Sequence, residues 1–279
     1  DQQPDLIIAG DWMPVSFCKN SNGRVEEGTR ATGLTAMNGM WRSLIASDID
    51  NDGDMDLVAG NIGLNNYYRV SNDEPMQLYA ADLDGNGSID PVYFYYIKSK
   101  DGKKYAYPGI SRSQFADQTP IIKKQFLMHE DYAKAKFDDI FKRKVKDSMY
   151  QVFCDETRTC VLENKGNGKF EKHPLPVEAQ FAPVNAIICY DLDGDGNKDL
   201  LLAGNEYQAE VMRGRYDASY GCFLRGNGKN NFTALPPVKS GFIVDGDVKD
   251  MALITMSDKS KRILVGVNND SLRVFAVGK

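Results

Sequence analysis

Short apolar segments alternate along the chain with polar loops rich in aspartate, asparagine and glycine. Asp199-Leu-Leu-Leu-Ala-Gly204 has the length and composition of a buried strand, and Trp41–Ala46 and Asn185–Tyr190 are strand-like segments that enter acidic loops. Tight-turn sequences such as Gly166-Asn-Gly168 separate later segments. The pattern predicts short strands joined by tight corners, as in a sandwich, a barrel or a propeller.

One acidic template recurs at these corners. Asp48–Asp56, Asp82–Asp90 and Asp191–Asp199 each read D-x-D-x-[DN]-G-x-x-D and run directly into an apolar segment. The opening residues Asp5–Asp11 match the tail of the template, and Val244–Ile254 has the form of a decayed copy. A hairpin that reuses one loop favours a β-propeller, so the predicted fold class is all-β, with about five visible blades.

The second and third complete loops are separated by a much longer stretch than the first and second. Thr119-Pro120 within this stretch is a good helix start, and Ala133, Phe137, Ile140 and Phe141 recur at helical spacing. We therefore expect a helical insertion over 114–147 within a single domain that covers 1–279.

The acidic loops are candidate metal sites. Aspartates at loop positions 1, 3 and 5 place several oxygens on one side of a tightly wound segment, and the glycine at position 6 allows the winding. The carbonyl of position 7 and the carboxylate of position 9 can complete a shell of hard oxygens, which suits Ca²⁺ better than magnesium or zinc. The alternative for any single loop is a polar turn without metal.

An EF-hand is excluded by the residues after the loop. An EF-hand requires a bidentate glutamate at position 12, whereas these loops have Ala59, Tyr93 and Leu202 there. An EF-hand loop also leads into a helix, and these loops lead into strand-like segments. We expect the ion to be structural, and we expect a chelator to leave each loop partly disordered.

Net charge, the length of the apolar stretches and cysteine spacing argue against several kinds of partner. The net charge of -5 argues against a general nucleic-acid binder, and no apolar stretch has the roughly 20 residues that cross a bilayer, so no membrane insertion is expected. The cysteines match no zinc-binding spacing. Cys154 and Cys160 flank a polar turn and could form a disulfide or remain two buried thiols.

The template D-x-D-x-D-G-x-x-D-L-x-x-A-G resembles the FG-GAP/VCBS repeats that form the blades of the integrin α-subunit propeller. The resemblance is closest to large bacterial surface VCBS-repeat proteins that often carry an ASPIC/UnbV domain. It implies a seven-bladed propeller, a secreted or cell-surface location and other domains in the same longer chain. The implied ligands are Asp48, Asp50, Asp52, Asp54 and Asp56 in the first loop, Asp82, Asp84, Asn86, Ser88 and Asp90 in the second, and Asp191, Asp193, Asp195, Asn197 and Asp199 in the third, with Asp54, Ser88 and Asn197 acting through their carbonyls.

The function predicted from these features is recognition of a protein or glycan ligand, without catalysis. Aromatic residues and arginine are enriched at binding hot spots. The alternatives are a carbohydrate-active enzyme that uses the unassigned acids Glu206, Glu210 and Asp217, or a structural spacer. The candidate recognition residues, which could instead pack between blades, are Trp12, Trp41, Arg42, Tyr67, Tyr68, Tyr207, Arg213, Arg215 and Tyr216.

Overall fold

The computed structural model describes residues 3–35, 37–141, 148–210 and 213–278. These residues form mostly β-strands with a few short helices, as expected for an all-β protein. The chain divides into two compact units: Asp1–Tyr67 together with Thr157–Lys279 form unit 1, and Tyr68–Glu156 form unit 2. The single domain over 1–279 stays a prediction.

Unit 1 is built from antiparallel sheets that follow one another along the chain. Sheet 1 contains β1 (Leu6–Ile8), β3 (Ser16–Ser21) and β4 (Arg24–Glu27), and a ribbon pairs β2 (Asp11–Met13) with β5 (Gly39–Met40). Sheet 2 has the order β6 (Ser43–Ser47), β7 (Asp56–Gly60), β12 (Cys160–Asn164) and β13 (Phe170–Pro174). Sheet 4 has the order β14 (Val184–Tyr190), β15 (Asp199–Gly204), β16 (Cys222–Gly226) and β17 (Phe232–Leu235), and sheet 5 has β18 (Val248–Thr255), β19 (Lys261–Val267) and β20 (Arg273–Ala276). The short helices of unit 1 are α1 (Thr29–Thr32), a 3-10 helix (Val177–Gln180) and α6 (Pro237–Ser240).

Unit 2 is one antiparallel sheet covered by helices. Sheet 3 has the order β11 (Tyr150–Cys154), β8 (Met76–Ala81), β9 (Asp90–Lys98) and β10 (Lys104–Pro108). The predicted helical insertion over 114–147 corresponds to short helices rather than one long one, and residues 142–147 lie outside the described part. The helices are α2 (Arg112–Gln118), α3 (Ile121–Gln125), α4 (His129–Lys134) and α5 (Phe137–Ile140).

Along the chain, unit 2 lies between the second and third strands of sheet 2. Strand β7 leads toward it and β12 follows it, yet these two strands pair directly, with Ala59 opposite Cys160. The N–H of Gly63 donates to the carbonyl of Thr157 at 2.7 Å, so the chain leaves unit 1 and returns to it at neighbouring points. The segment between β7 and β12, which contains loop 2, therefore separates two paired strands of sheet 2 along the chain.

The apolar strands of unit 1 are buried on both faces. Alternate residues of β15 point to different cores: Leu200 and Leu202 pack with the side chains of sheet 2, and Leu201 and Ala203 pack with those of sheet 5. Successive side chains of a strand point to opposite faces of the sheet. A continuous apolar run is therefore the pattern expected of a sheet that is covered on both sides.

Glycine at the end of β15 lets the backbone at the start of β14 approach closely. A Cβ on Gly204 would lie 1.7 Å from the carbonyl oxygen of Pro183, so only glycine fits there. The following asparagine is also used: Asn205 is 1% exposed, and its Nδ2 donates to the carbonyls of Ser219 and Gly246 at 2.9 and 2.8 Å. The side chain of Asn205 thus links the end of β15 to the segments that precede β16 and β18.

The assignment of Val244–Ile254 as a decayed second-strand copy is wrong. Strand β18 pairs with β19 across a corner at 256–260, and it contacts β14 in the way that β14 contacts β6. Strand β18 is therefore the first strand of sheet 5. The apolar run was matched to the wrong half of the repeat, because first and second strands are both rich in apolar residues.

Cys154 and Cys160 are both buried thiols. The thiol of Cys154 lies 3.6 Å from the carbonyl of Glu156, and that of Cys160 lies 3.3 Å from the carbonyl of Arg158. Of the two alternatives from the sequence, the structure has the thiols.

Candidate metal loops

The three acidic loops each connect the first and second strands of a sheet and share one backbone conformation. Loop 1 (48–56) joins β6 to β7, loop 2 (82–90) joins β8 to β9, and loop 3 (191–199) joins β14 to β15. Positions 4 and 6 are left-handed in every loop, which explains why they hold glycine or asparagine. The φ angles are 60° at Asn51, 95° at Gly53, 77° at Gly85, 86° at Gly87, 80° at Gly194 and 91° at Gly196.

The first aspartate turns its carboxylate toward the inside of the loop. Asp82 accepts hydrogen bonds from the N–H groups of Gly85, Asn86 and Gly87 at 2.8 to 3.0 Å. Asp191 accepts in the same way from Gly194 and Gly196, and Asp48 accepts from Gly53 at 3.2 Å. The loop is wound so that its backbone N–H groups can donate to the carboxylate of position 1, and glycine at the left-handed positions allows this winding.

The ninth aspartate is buried and fastens the corner. Asp199 is fully buried, and its two oxygens accept from the N–H groups of Leu192 at 2.9 Å and Gly226 at 3.0 Å. Asp56 does the same with Ile49 and Asn164. One carboxylate thus joins the loop, the second strand and the third strand. Asp5 also accepts from a third-strand residue, Asn20, which supports the match of the opening residues to the tail of the template.

Carboxylates converge in all three loops. One oxygen from each of three aspartates lies within 4.8 Å of the others in each loop. Asp54, Asn86, Ser88, Asp195, Asn197 and, in loop 1, Asp56 fall outside these groups, and their predicted ligand roles stay predictions. The groups are Asp48, Asp50 and Asp52; Asp82, Asp84 and Asp90; and Asp191, Asp193 and Asp199.

The residues of loop 1 fit a divalent cation. The Oδ1 atom of Asp48 is buried and has no hydrogen-bond partner among the described residues, so it is available to a cation. Burial and the neighbouring Asp52 carboxylate raise the pKa of Asp50, and burial raises the pKa of Asp56. A cation between these groups would offset the cost of burying negative charge. An all-oxygen set of this kind suits calcium.

A fourth group of possible ligands was not predicted. Glu163 and Glu171 lie directly opposite each other on β12 and β13, and His173 is nearby, with ligand atoms within 4.8 Å. Lys165 already pairs with this group, at 2.8 Å from Glu163 and 3.8 Å from Glu171. It is an ion-pair cluster beside loop 1. The alternation of these residues along a hairpin was the signal in the sequence.

The predicted recognition residues separate into core and surface. Trp41 is 3% exposed, belongs to the apolar core between sheets 1 and 2, and donates from Nε1 to the carbonyl of Met13 at 3.0 Å. The prediction of Trp41 as a surface residue is therefore corrected. Arg42 is exposed and lies 3.6 Å from Asp11. Trp12 is half-buried.

Two arginine–tyrosine stacks lie on unit 1. Arg213 lies over the ring of Tyr67 at 4.9 Å, and Tyr67 is 58% exposed. Arg215 lies over the ring of Tyr207, also at 4.9 Å. Both the tyrosine and the arginine of the second stack lie in the connection between β15 and β16. Within this connection, Glu206 and Tyr216 form an isolated antiparallel β-bridge. Tyr68 belongs to unit 2, where its ring contacts two other tyrosines.

Unit 2 has an open groove of about 700 Å³ between the β9–β10 hairpin and the helices. Its wall is aromatic and basic. Lys136 covers the ring of Tyr105 at 3.5 Å, and the hydroxyl of Tyr105 donates to Asp101 at 2.9 Å. The residues that give the groove its character are Lys98, Lys100, Lys134, Lys136, Tyr105 and Tyr107.

No helix of the described residues is both long and apolar enough to span a membrane. The family model described as an FG-GAP-like repeat matches residues 1–59, which include loop 1 and the opening segment. No curated protein matches the chain. The chain is thus similar to FG-GAP-like repeats over its first part.

Proposed function

We propose that this chain is a calcium-binding β-propeller module of a larger extracellular protein, and that it recognises a protein or glycan without catalysing a reaction. The observation that carries the proposal is the threefold repetition of one loop conformation in which aspartate oxygens converge within 4.8 Å. The match to an FG-GAP-like repeat supports the propeller and the extracellular location.

The packing of unit 1 supports a radial arrangement. Each apolar core of this unit lies between consecutive sheets, and β14 contacts the first strands of the sheets before and after it. Repetition of this step around an axis produces a propeller. Sheets 1, 2, 4 and 5 would be its blades, and we propose seven in the complete ring, with unit 2 as an insertion.

Calcium binding is tested by titration and thermal unfolding. We expect calcium to raise the melting temperature of chelator-treated protein, because ligand at 100 times Kd stabilises the folded state by about 2.7 kcal/mol. The variant Asp191→Ala/Asp193→Ala should bind one ion fewer by calorimetry. Asp258→Asn is the matched control, because Asp258 lies at the β18–β19 corner, which lacks the template. Wild-type protein that neither binds calcium nor shifts in melting temperature would contradict the proposal.

Recognition is supported by the two arginine–tyrosine stacks, in which Tyr67 and Arg215 are exposed, and by the basic groove. Tyrosine and arginine contribute heavily to binding hot spots, and a groove of this volume can hold a small oligosaccharide with negative charge. A glycan and protein array screen in calcium should yield specific hits. Tyr207→Ala/Arg215→Ala should remove binding through unit 1, and Lys98→Ala/Lys100→Ala should remove binding through the groove. Lys123→Ala, outside the groove lining, should leave binding unchanged.

The enzyme and spacer alternatives make different predictions in the same screen. Glu206 lies 3.6 Å from Lys249 and Glu210 lies 3.9 Å from Arg213, so both acids already have basic partners. Turnover of an arrayed glycan that depends on Glu206, Glu210 or Asp217 would favour an enzyme. A screen without hits would favour a spacer.

A further inference from the structure

Loops 1 and 3 follow one template, but different side chains surround them. In loop 1, the carboxylate of Asp50 accepts a hydrogen bond at 3.1 Å from Nδ2 of Asn230. Asn230 belongs to the β16–β17 turn of sheet 4, so it reaches loop 1 from the neighbouring sheet. In loop 3, the matching carboxylate of Asp193 forms an ion pair at 2.6 Å with Arg225 of its own sheet.

Asn230 has an unsatisfied oxygen beside loop 1. The residue is 9% exposed, and its Oδ1 is buried without a hydrogen-bond partner among the described residues. A buried amide oxygen without a partner destabilises the folded state, because it has lost its hydrogen bonds to water. The Oδ1 of Asp48 in the same loop is also buried and unpartnered within the described part of the chain. Two such oxygens beside one loop are what a bound cation would satisfy.

The charges next to the two loops are opposite at equivalent positions. Leu162 pairs with Leu57 on sheet 2 as Leu224 pairs with Leu200 on sheet 4, so the following residues, Glu163 and Arg225, occupy matching places. Glu163 adds negative charge near Asp50, and Lys165 pairs with Glu163 at 2.8 Å, whereas the Arg225 guanidinium pairs directly with the loop carboxylate of Asp193. A cation at loop 3 must therefore compete with a guanidinium for Asp193, so we expect loop 1 to attract a cation more strongly.

We propose that the cation of loop 1 is held between two sheets, with the side-chain oxygen of Asn230 as a ligand from sheet 4, and that Arg225 weakens cation binding at loop 3. The inference rests on the proposed calcium-binding function and extends it. The hydrogen bond from Nδ2 to Asp50 would hold the amide beside loop 1, with Oδ1 as the atom that would meet the ion.

Removal of the amide tests the shared site. Asn230 has a left-handed backbone with φ of 55°, so Asn230→Gly removes the side chain without straining the turn. Calcium calorimetry on the complete chain should show about a tenfold loss of affinity at the tightest site, with the other sites unchanged. Asn167→Gly is the matched control, because Asn167 has φ of 54° in the β12–β13 turn. Wild-type affinity in Asn230→Gly would overturn the proposal.

Asn230→Asp separates a ligand from a purely structural residue. Aspartate beside Asp50 and Glu163 should lower the melting temperature in chelator, because like charges repel. The same carboxylate should raise the calcium affinity of the tightest site severalfold. A structural asparagine would instead lose stability without a gain in affinity, and that outcome would overturn the proposal.

Arg225→Gln tests the second half of the inference. Loss of the guanidinium should raise the calcium affinity of a weaker site severalfold. Lys229→Gln removes the same charge from the turn that follows this strand and should change the affinity little. Equal shifts in the two variants would mean that only net charge matters, and the role of Arg225 would be refuted. Wild-type protein that binds no calcium would refute the proposed function itself, whereas wild-type binding that Asn230→Gly leaves unchanged would refute only the Asn230 ligand.

Discussion

Sheets 3 and 4 use the same acidic corner in different surroundings. In sheet 4, every residue of Asp199–Gly204 is buried, because other sheets cover both faces. In sheet 3, burial alternates along the first residues of Asp90–Lys98, because helices cover one face, where Phe94 packs with Phe115 and Phe137. The corner is therefore a local unit that works under two kinds of packing. The strand that follows the corner, rather than the corner itself, indicates how the sheet is covered.

Truncation of side chains in β15 and β9 should give the largest effects and test whether the two sheets are covered differently. Leu201→Ala and Leu202→Ala should each lower the free energy of unfolding of unit 1 by about 2 to 5 kcal/mol, because the two side chains fill different cores. In β9, Phe94→Ala should cost about 3 to 5 kcal/mol, while Ile97→Ala should cost less than about 1 kcal/mol, because Ile97 is 42% exposed. Denaturant unfolding monitored by circular dichroism measures all four. Similar losses for Phe94→Ala and Ile97→Ala would show that sheet 3 is also covered on both faces.

The buried carboxylate at the corner should have the next largest effect. In chelator, Asp199→Ala should cost about 2 to 4 kcal/mol, because the N–H groups of Leu192 and Gly226 lose their acceptor. Asp195→Ala, at an exposed position of the same loop, should cost less than about 0.5 kcal/mol under the same conditions. Equal losses would mean that the ninth aspartate acts only through a metal.

The close backbone approach between Gly204 at the end of β15 and Pro183 before β14 should have the third largest effect. Gly204→Ala should cost about 1 to 3 kcal/mol, because the added methyl group meets the carbonyl of Pro183 and must push a neighbouring backbone away. Gly278→Ala is the control, since nothing lies within 4 Å of its added Cβ. A melting temperature of Gly204→Ala equal to that of the control would show that the approach can relax without loss.

The sequence predicts the corners well because their conformation depends on residues close together in the chain. Alternating aspartates and the glycines at left-handed positions define each loop locally, and the apolar runs beside them define the strands. The insertion of unit 2 into sheet 2 was not predictable in this way, because the pairing of Ala59 with Cys160 spans a whole compact unit. The one-sided burial of β9 was not predictable either, because Pro91–Ile97 is apolar or aromatic at every position, as a strand covered on both faces would be.

Site residues outside the loops were harder to predict for the same reason. Trp41 has the composition of a recognition residue, and only the arrangement of sheets 1 and 2 places it in the core. Asn230 lies far from Asp50 along the chain, and their contact depends on neighbouring sheets. Glu163 and Arg225 acquire opposite roles beside equivalent loops through strand register alone. Contacts of this kind require the tertiary structure.

The smallest expected effect concerns the cysteines that flank the junction between unit 2 and unit 1. Because Cys154 and Cys160 are buried thiols, a reducing agent should leave the melting temperature unchanged, within about 1 °C. Loss of a disulfide that closed even a short loop would instead cost about 2 kcal/mol or more and shift the transition by several degrees. Thiol titration of the unfolded chain without reductant is the matching measurement, and it should count all five cysteines as reactive. A count of three that rises to five after reduction would show one disulfide, and a count of three in the double variant Cys154→Ser/Cys160→Ser without reductant would assign it to these two residues.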